Sequence, residues 1–407
     1  MLSNQTISQI TERGVSDIIS KSEFVKLLNS GKTLRLKMGF DPSRPDIHLG
    51  HVVGLRKLRQ LQELGHQVIL IVGDWTAQIG DPSGRSTTRQ MLSHEEVIAN
   101  AESYMRQFFK VIDRDQTQVK WQSEWFGEFT LADVIRLTGK FTVAQFLERD
   151  DFAKRFQEHR PIAITELLYP LLQAYDSVAI KSDVEFGGTD QMFNLLVGRE
   201  LQGMLGYNRQ QCFMMPILVG TDGTQKMSKS LDNYIGVEEP PEDMFGKLMS
   251  LPDAQIIPYL EYLTDTPQEQ IEQLKEDLPN NLINPMDIKK SLAHHITANF
   301  HNIDLANNAK DHFERVVQGR GLPQDIPEYP LLNGTQLLNG TQQIHLLLKD
   351  AGIVSSNGEA KRLINQNAVE IIPSSGSSYS VDSDTNEVTL NPGDVIKVGK
   401  RRFIRLT

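Results

Sequence analysis

The first 230 residues alternate short apolar runs with longer amphipathic stretches. The apolar runs have the length and composition of buried strands, and the stretches between them place apolar side chains at helical spacing. We predict strands at 34–40, 67–75, 118–122 and 212–220, and helices at 52–64, 94–112 and 162–178. This alternation predicts an α/β fold with a doubly wound parallel sheet, and such sheets bind ligands at the carboxyl ends of their strands.

The hydrophobic pattern becomes helical after residue 230. Proline or aspartate starts several of the amphipathic stretches, as is typical of helix N-termini. The predicted helices lie at 241–249, 254–263, 267–277 and 285–300, with two more near 344–351 and 358–366 and short strands from 369 onward. We therefore predict an all-α domain at 231–325, a linker containing proline and glycine at 326–340, and a small αβ domain at 341–407.

Composition limits the class of protein. At 407 residues the chain is long enough for roughly two or three domains. The only cysteine, Cys212, excludes a disulfide framework and a cysteine-based zinc site, and favours a reducing compartment such as the cytoplasm. The N-terminus lacks the apolar core of a signal peptide, and the most apolar stretch, 67–73, is too short to span a bilayer.

The formal net charge is −10, yet the last thirteen residues contain five basic side chains and no acidic one. They are Lys397, Lys400, Arg401, Arg402 and Arg405. Because a nucleic acid binds to one patch of a protein surface, a negative net charge does not exclude such a partner. The cluster fits a solvated basic tail and an RNA-binding patch equally well.

The first of two short motifs is HLGH at 48–51, which follows a predicted strand and a turn. Gly50 has no side chain, so a flat adenine or ribose can approach the backbone. The helix that follows presents unpaired N–H groups and its positive dipole end to a phosphate. His48 and His51 can each donate a hydrogen bond to phosphate oxygens, although two surface histidines at a helix start, or two metal ligands, give the same pattern.

The second motif is KMSKS at 226–230, in a polar stretch that follows a predicted strand. Lys226 and Lys229 lie three residues apart, so a mobile loop can close both ammonium groups over a triphosphate and stabilise the leaving pyrophosphate. A solvated loop is the alternative, but a five-residue identity is far more specific than the histidine motif. The sequence contains no GxxxxGK[ST], which excludes a P-loop for ATP.

A third pattern lies on the predicted helix 162–178. Tyr169, Gln173 and Asp176 recur at i, i+4 and i+7, which places a phenol, an amide and a carboxylate on one face. Such a set of polar groups forms either a hydrogen-bonded core network or the wall of a binding site.

HLGH followed by KMSKS across a doubly wound sheet resembles the class I aminoacyl-tRNA synthetases. Further segments resemble the tyrosyl branch of that family. They are GFDPSRPDIHLGH (39–51), IGDPSGRS (79–86), LLYPLLQAYD (167–176) and GGTDQMFN (187–194). The likeness runs over essentially the whole chain. It implies a Rossmann-like catalytic domain at 1–230, with a connective and dimerisation insertion near 139–165, and a homodimer.

The resemblance implies how a substrate tyrosine is held. Asp176 accepts the hydrogen bond of the phenol. The ammonium group is held by Tyr169, Gln173 and Asp81, and the carboxylate lies near Gln191.

One position departs from the family pattern. Many family members place a tyrosine beside the substrate phenol, where this chain has Lys37. A lysine cannot repeat the hydrogen-bond geometry of a tyrosine. We therefore expect Lys37, counted among the tyrosine-binding residues, to act chiefly by keeping Asp176 ionised.

The resemblance also implies the ATP site. Gly188 and Asp190 meet the ribose, Arg85 and Arg89 meet the pyrophosphate, and Mg²⁺ accompanies the nucleotide. The full set expected to bind ATP is Ser43, His48, Gly50, His51, Arg85, Arg89, Gly188, Asp190, Lys226 and Lys229. No protein-bound metal is expected.

The segment 346–371 resembles a small RNA-binding domain shared with a ribosomal small-subunit protein and some pseudouridine synthases. Basic side chains on such a unit suit contacts with RNA phosphates and 2′-hydroxyls, whereas a protein–protein domain is the alternative. The residues expected to contact tRNA are Lys361, Arg362, Lys400, Arg401 and Arg402.

The function that the resemblance implies is the activation of L-tyrosine with ATP, followed by transfer to the terminal adenosine of tRNA(Tyr). The catalytic residues would be His48, His51, Lys226 and Lys229, acting by positioning and charge stabilisation. The alternatives are a tryptophanyl-tRNA synthetase, a synthetase-derived RNA-binding protein without catalysis, and a small-molecule nucleotidylyltransferase. The C-terminal unit argues against the first and third, and the intact motifs argue against the second.

Overall fold

The structure is a computed structural model of the chain. It describes residues 2–42, 46–82, 93–318, 326–330, 337–338, 340–374, 378–381, 387–388, 390–399 and 402–407. The chain forms two compact units, Met1–Ala309 and Lys310–Thr407.

A six-stranded sheet forms the centre of the first unit. Its strands are β1 (Asp17–Ile19), β2 (Arg35–Phe40), β3 (Gln67–Val72), β4 (Thr117–Trp121), β5 (Val184–Gly188) and β6 (Gln211–Met215). The order across the sheet is β1-β6-β5-β2-β3-β4, and all neighbours are parallel except β1, which pairs antiparallel with β6 at the edge. The predicted doubly wound sheet is confirmed. Its strand order reverses between β2 and β5, where a ligand crevice opens in such folds.

Burial explains which strands could be read from the sequence. β3 (QVILIV) is buried at all but its first residue, as expected for a parallel strand covered on both faces. β1 and β5 were missed. β1 has three residues at the sheet edge, and β5 (VEFGG) contains a charged residue and two glycines, so neither gives an apolar run.

Helices cover both faces of the sheet and continue beyond it. They are α1 (Asn4–Thr11), α2 (Lys21–Leu28), α3 (Leu49–Gln62), α4 (Thr76–Ile79), α5 (His94–Phe108), α6 (Ser123–Phe126), α7 (Leu131–Thr138), α8 (Val143–Leu147), α9 (Asp150–Gln157), α10 (Ile164–Ala179), α11 (Met192–Met204), α12 (Pro241–Met249), α13 (Ile256–Leu263), α14 (Gln268–Asp277), α15 (Pro285–Phe300) and α16 (Ile303–Phe313). Short 3₁₀ segments lie at Thr189–Gln191, Lys229–Leu231 and Asp253–Gln255.

The helices after residue 240 belong to the same compact unit as the sheet. α12 and α13 pack on α15, and α13 also packs on α3. The proposed functional bounds at 230 and 325 remain predictions.

The second unit is a small αβ structure. It contains a π-helical turn at Glu314–Gln318, β7 (Glu328–Tyr329), β8 (Leu337–Leu338), α17 (Gly340–Asp350), α18 (Asn357–Asn365), β9 (Val369–Ile372), β10 (Tyr379–Val381), β11 (Glu387–Val388), β12 (Val395–Val398) and β13 (Arg402–Leu406). β10, β9, β12, β13 and β7 form one sheet in that order, and β8 pairs with β11. Ile344, Leu348, Ile364 and Ile371 belong to its buried core. β7 lies inside the span expected to be a linker and pairs in parallel with β13.

Among the described helices, none combines the length and the apolar character needed to cross a membrane.

Candidate active site

Two adjoining cavities open at the carboxyl ends of β2 and β5. The smaller has a volume of about 320 Å³ and the larger about 740 Å³. Met38, His51, Gly188 and Asp190 line both. The reversal of strand order therefore places one continuous site at the point where parallel sheets bind ligands.

One face of α10 forms a wall of the smaller cavity. Tyr169, Gln173 and Asp176 all line it, on the shared face that their spacing predicts. Asp81, which follows α4, and Gln191, which follows β5, line the same cavity. Five of the six residues expected to hold tyrosine thus surround one space.

Asp176 is buried in this wall, with 2% of its surface exposed. Gln122 Nε2 donates to its two carboxylate oxygens at 2.9 and 3.2 Å, and Trp125 Nε1 donates to Oδ1 at 3.2 Å. Burial raises the pKa of Asp176 to about 7, against the lowering effects of nearby Lys37 and of these hydrogen bonds. The carboxyl group is thus fixed by neutral donors, and its charge changes near neutral pH.

Tyr169 is held by a buried hydrogen-bond chain. Its hydroxyl donates to Asp41 Oδ2 at 2.8 Å, and Thr76 Oγ1 donates to Asp41 Oδ1 at 2.7 Å. The backbone N–H of Thr76 donates to Gln122 Oε1 at 3.0 Å, so Gln122 connects this chain to Asp176. Burial, with Asp41 as the nearest charge, raises the pKa of Tyr169 well above its usual value, and its phenol stays protonated.

Sequence reasoning did not assign Asp41, Gln122 or Trp125 to the site. A signal for the first two was available, because Asp41 directly follows β2 and Gln122 directly follows β4. Polar residues at the carboxyl ends of parallel strands are candidates for the crevice. The role of Trp125 depends on a contact with α10 that no local sequence pattern predicts.

Asp81 and Gln191 are bonded to each other. Gln191 Nε2 donates to Asp81 Oδ2 at 2.6 Å, and Asn194 Nδ2 donates to Gln191 Oε1 at 3.0 Å. Buried Arg149 donates to Asn194 Oδ1 at 3.3 Å and lies 4.0 Å from Asp81 Oδ1. The predicted insertion, which contains Arg149, thereby reaches this end of the cavity.

Lys37 does not line either cavity. Its Nζ pairs with Glu185 Oε1 at 2.9 Å and donates to the Gln173 carbonyl at 2.7 Å and to Ser177 Oγ at 2.8 Å. The Gln173 side chain donates to the same Glu185 oxygen at 3.1 Å. The arrangement offers Lys37 no direct contact with a ligand, and any influence on the cavity passes through α10 and through its charge.

The two histidines of HLGH lie at the start of α3 and line the larger cavity. His48 Nδ1 accepts from the Gly50 N–H at 3.2 Å, and His51 Nδ1 accepts from the His48 N–H at 3.3 Å. An accepting Nδ1 leaves the proton of a neutral imidazole on Nε2. Burial lowers the pKa of His48 well below its usual value and that of His51 to about 4. Both rings are therefore neutral donors at pH 7.

Gly50 is required for this arrangement. A Cβ at Gly50 would lie 2.9 Å from the ring of His48, closer than side-chain atoms pack. The glycine therefore allows the His48 ring to fold over the first turn of α3, a reason that differs from the ligand approach expected from the sequence.

The KMSKS segment begins in a tight hairpin, where its first residue, Lys226, pairs with Val219. Lys226 lines the larger cavity, and its Nζ lies 3.1 Å from Asp190 Oδ2. Lys229 does not line that cavity. Its Nζ donates to the Asp46 carbonyl and lies 5.8 Å from the ring centre of Tyr104. Protein groups thus hold both ammonium groups.

Asn233 is a buried residue of this segment that sequence reasoning missed. Its Oδ1 accepts from the Ser228 N–H at 2.7 Å, and its Nδ2 donates to Asp222 Oδ2 at 2.6 Å and to the Lys226 carbonyl at 3.0 Å. One amide therefore fastens both sides of the lysine-bearing loop. Its position three residues after the motif was the available signal.

The two motifs are also joined directly. His48 and Gly236 form an antiparallel bridge, flanked by hydrogen bonds from Leu49 N–H to the Ile235 carbonyl and from Val237 N–H to the Ile47 carbonyl. The helix start that presents the histidines is therefore anchored to the chain directly after KMSKS.

The remaining predicted residues are divided between described and undescribed positions. Ser43, Arg85, Arg89, Lys400 and Arg401 lie outside the residues that the structure describes. Lys361 and Arg362 are exposed on α18. Arg402 Nη1 pairs with Glu359 Oε1 and donates to the Ile353 carbonyl, both at 2.9 Å, so its charge is partly used within the unit.

Within the described ranges, no group of three His, Cys, Asp or Glu side chains is arranged to hold a metal ion.

Comparison with known proteins adds the family. A family model described as tRNA synthetases class I (W and Y) matches residues 29–318. Over 401 residues the chain is 57% identical to a protein of Dehalococcoides mccartyi (strain CBDB1) named tyrosine–tRNA ligase, and the match covers 98% of each chain.

Solved structures agree with this result. A C-terminally truncated mitochondrial tyrosyl-tRNA synthetase of Aspergillus nidulans has a TM-score of 0.64 at 20% identity, covering 76% of this chain and 94% of that one, and shows the fold alone. Tyrosyl-tRNA synthetase from Archaeoglobus fulgidus, complexed with L-tyrosine, has a TM-score of 0.61 at 25% identity, covering 75% of this chain and 99% of that one. The tryptophan branch finds no support in these relatives. The chain therefore belongs to the family of class I tyrosyl-tRNA synthetases.

Proposed function

We propose that the chain joins L-tyrosine to tRNA(Tyr) in two steps and that both substrates of the first step bind in the two adjoining cavities. The observation that carries this assignment is the buried carboxyl of Asp176. The cavity that Asp176 lines adjoins the larger cavity, and Asp190 and the helix that bears the HLGH histidines form part of the wall of both. A buried hydrogen-bonding group selects strongly for a ligand that carries the matching hydroxyl.

The smaller cavity holds tyrosine. Its phenol donates to Asp176. The ammonium group lies among Tyr169, Gln173 and Asp81, where the carboxylate balances its charge and the two neutral groups accept hydrogen bonds. Gln191, already bonded to Asp81, lies near the substrate carboxylate and keeps it directed toward the larger cavity.

The larger cavity holds ATP, with Mg²⁺ entering as part of the nucleotide substrate. Gly188 and Asp190 meet the ribose. The Nε2–H groups of His48 and His51 donate to phosphate oxygens without adding positive charge. The charge comes from Lys226 and Lys229, and phosphate oxygens replace Asp190 and the Asp46 carbonyl as their partners. Ser43, Arg85 and Arg89 are further candidates for contacts with ATP.

The chemistry needs no protein nucleophile. A carboxylate oxygen of tyrosine attacks the α-phosphorus of ATP, the bond to the bridging oxygen breaks, and pyrophosphate leaves with its charge neutralised by the lysines. A ribose hydroxyl of the terminal adenosine of tRNA then attacks the tyrosyl carbonyl and AMP leaves. The protein contributes alignment and charge stabilisation.

Residues 341–407 contact tRNA in this proposal. Lys361 and Arg362 support it because they are adjacent, exposed and on one helix. Lys400, Arg401 and Arg402 are further candidates for contacts with RNA, and the ion pair of Arg402 with Glu359 reduces its contribution. The functional division into a catalytic domain at 1–230, an α-helical anticodon-side domain at 231–325 and a linker at 326–340 belongs to the same proposal.

The chain works as a homodimer in the cytoplasm in this proposal. Support for the dimer comes from large apolar side chains that the first unit leaves exposed near the insertion. They are Leu131, Ile135, Val143, Phe156 and Ile164. Large apolar side chains left exposed in one region of the sequence are typical of a protein interface.

Tyrosine-dependent exchange of labelled pyrophosphate into ATP tests the assignment. We expect exchange with tyrosine, with tryptophan and phenylalanine as controls that give little. Exchange with tryptophan in preference to tyrosine would overturn the assignment, and so would tRNA binding without any exchange.

A further inference from the structure

Two opposite charges are buried side by side beneath α10. Lys37 on β2 and Glu185 on β5 are cross-strand partners, and their side chains are 0% and 1% exposed. Nζ lies 2.9 Å from Oε1, and Gln210 Nε2 donates to the other glutamate oxygen. An apolar pair of similar size is often at least as stable as a buried ion pair. Stability alone therefore does not explain these residues.

Both charges bond to α10 on either side of Asp176. Lys37 donates to the Gln173 carbonyl and to Ser177 Oγ. Glu185 accepts from Gln173 Nε2 and from Ser177 Oγ, each at 3.1 Å. The pair thus holds the residues three before and one after Asp176 while remaining outside the cavity.

We propose that Lys37 and Glu185 form a positioning pair that sets the charge state of Asp176, and through it the strictness with which the site selects tyrosine over phenylalanine. The inference rests on the proposed role of Asp176 as the acceptor for the phenol. Neither residue of the pair touches the substrate.

The groups that face Asp176 act in opposite directions. They are Lys37 on β2, Glu185 on β5 and Tyr169 on α10, with the neutral donors Gln122, which follows β4, and Trp125 on α6. Burial raises the pKa of Asp176 most, Lys37 lowers it and Glu185 raises it. Because Tyr169 stays protonated, the ion pair contains the two full charges of this set.

The charge state matters for selection. Phenylalanine lacks the hydroxyl, so it leaves the Asp176 carboxyl without a ligand donor, and leaving a charged buried group unpaired costs more than leaving a neutral one unpaired. The ionised form therefore rejects phenylalanine more strongly than the protonated form does.

Three variants of the full chain test the pair: Lys37→Met, Glu185→Gln and the double variant. The measurements are the pH profile of kcat/KM for tyrosine in pyrophosphate exchange and the tyrosine-to-phenylalanine ratio at pH 7. We expect Lys37→Met to move the ascending limb of the profile up by about one pH unit and to lower the ratio about tenfold, since one unit is a tenfold change in the ionisation equilibrium. Glu185→Gln should move the limb down, and the double variant should return near the wild-type position.

A purely structural role would lower activity in the single variants without moving the limb, and that result overturns the inference. If Lys37→Met does not fold, the isosteric Glu185→Gln decides alone: a limb at lower pH supports the pair, and an unmoved limb overturns it. A matched control is Arg155→Met with Glu166→Gln, a buried ion pair that joins α9 to α10, with Nη1 and Oε2 2.5 Å apart. Its removal should leave the limb in place.

Asp176→Asn separates this inference from the proposed function. If that variant abolishes the limb and the selectivity while the pair variants leave the limb unmoved, only the inference about the pair fails. If Asp176→Asn keeps both the limb and the selectivity, the proposed reading of the phenol fails with it.

Discussion

The two cavities hold their polar groups in different ways. In the smaller cavity, Asp176 and Tyr169 are buried and each is fixed by hydrogen bonds to other side chains. In the larger cavity, Lys226 is 46% exposed, and its only described ion pair is with Asp190, a residue expected to bind the ribose. Selection of a small amino acid requires partners fixed in advance, whereas charge that develops on a leaving group is best met by cations that can change partners.

The histidines belong to neither type. His48 and His51 lie near the lysines, but burial keeps their pKa values low and their rings neutral. They resemble the groups of the smaller cavity in being fixed but differ from the lysines in carrying no charge, and His51 lines both cavities. The site therefore separates hydrogen-bond donation from charge, and each can be removed by mutation independently of the other.

The largest effect is expected at the nucleotide end. We predict that Lys229→Ala slows adenylate formation by roughly 30- to 1,000-fold, because one charge at the leaving group contributes about 2–4 kcal/mol to the transition state. Tyrosine affinity should change little, since the interaction is made with phosphate. Single-turnover activation and equilibrium dialysis with tyrosine measure the two quantities. Collapse of tyrosine binding with an intact activation rate would contradict the assignment of Lys229.

The next effect lies at the amino-acid end. Asp176→Asn should reduce the ratio of exchange efficiencies for tyrosine and phenylalanine by about a hundredfold, because an unpaired buried polar group costs about 1–3 kcal/mol. Lys37→Ala should lose a smaller part of the selectivity, since Lys37 does not line the cavity. A larger loss in Lys37→Ala than in Asp176→Asn would show that the lysine reads the phenol.

A third prediction asks whether both cavities work without the two basic side chains of α18. Lys361→Ala with Arg362→Ala should lower kcat/KM for tRNA about tenfold and reduce its salt dependence by about two units of slope, because phosphate contacts release counterions. Pyrophosphate exchange should not change. Lys21→Ala with Lys26→Ala, two exposed lysines of α2, removes the same charge elsewhere. Equal losses in the two double variants would dismiss a specific RNA contact on α18.

A fourth prediction uses pH. The pKa of Asp176 is raised to about 7, so the carboxylate that accepts the phenol is the minor form at pH 6 and the major form at pH 8. We expect kcat/KM for tyrosine to rise about tenfold over this interval and then level off. Asp176→Asn should abolish that rise. A flat wild-type profile would mean that the protonated carboxyl binds tyrosine equally well.

The smallest effect is expected at the loop anchor. Asn233→Ala removes the hydrogen bonds that join Ser228, Asp222 and the Lys226 carbonyl. We predict a loss of about fivefold in kcat/KM for ATP, equivalent to about 1 kcal/mol, with KM for tyrosine unchanged. Asp222→Asn, which alters one of these partners, should lose less. An equal loss for tyrosine would place the effect of Asn233 in overall stability instead of the loop.

Local patterns in the chain were sufficient for much of this result. The apolar runs predicted the sheet, because strands covered on both faces are apolar throughout, and the spacing of Tyr169, Gln173 and Asp176 predicted a shared face, because a helix repeats every 3.6 residues. HLGH and KMSKS are contiguous, so their resemblance to a family could be read directly. The helices Pro241–Met249 and Pro285–Phe300 have the bounds that were predicted from a proline at the start and from the spacing of apolar residues.

The sequence by itself thus determined the architecture, the family resemblance and the residues on the α10 face. Only the tertiary structure decided what surrounds them. β5 was missed because a glutamate such as Glu185 is typical of a protein surface. Its buried partner Lys37 lies 148 residues away in the chain and on the neighbouring strand of the sheet. The neutral state of His51, the fixation of Asp176 by Gln122 and the removal of Lys37 from the cavity all depend on burial and on long-range partners. Burial and long-range contacts are properties of the folded chain, and no local period records them.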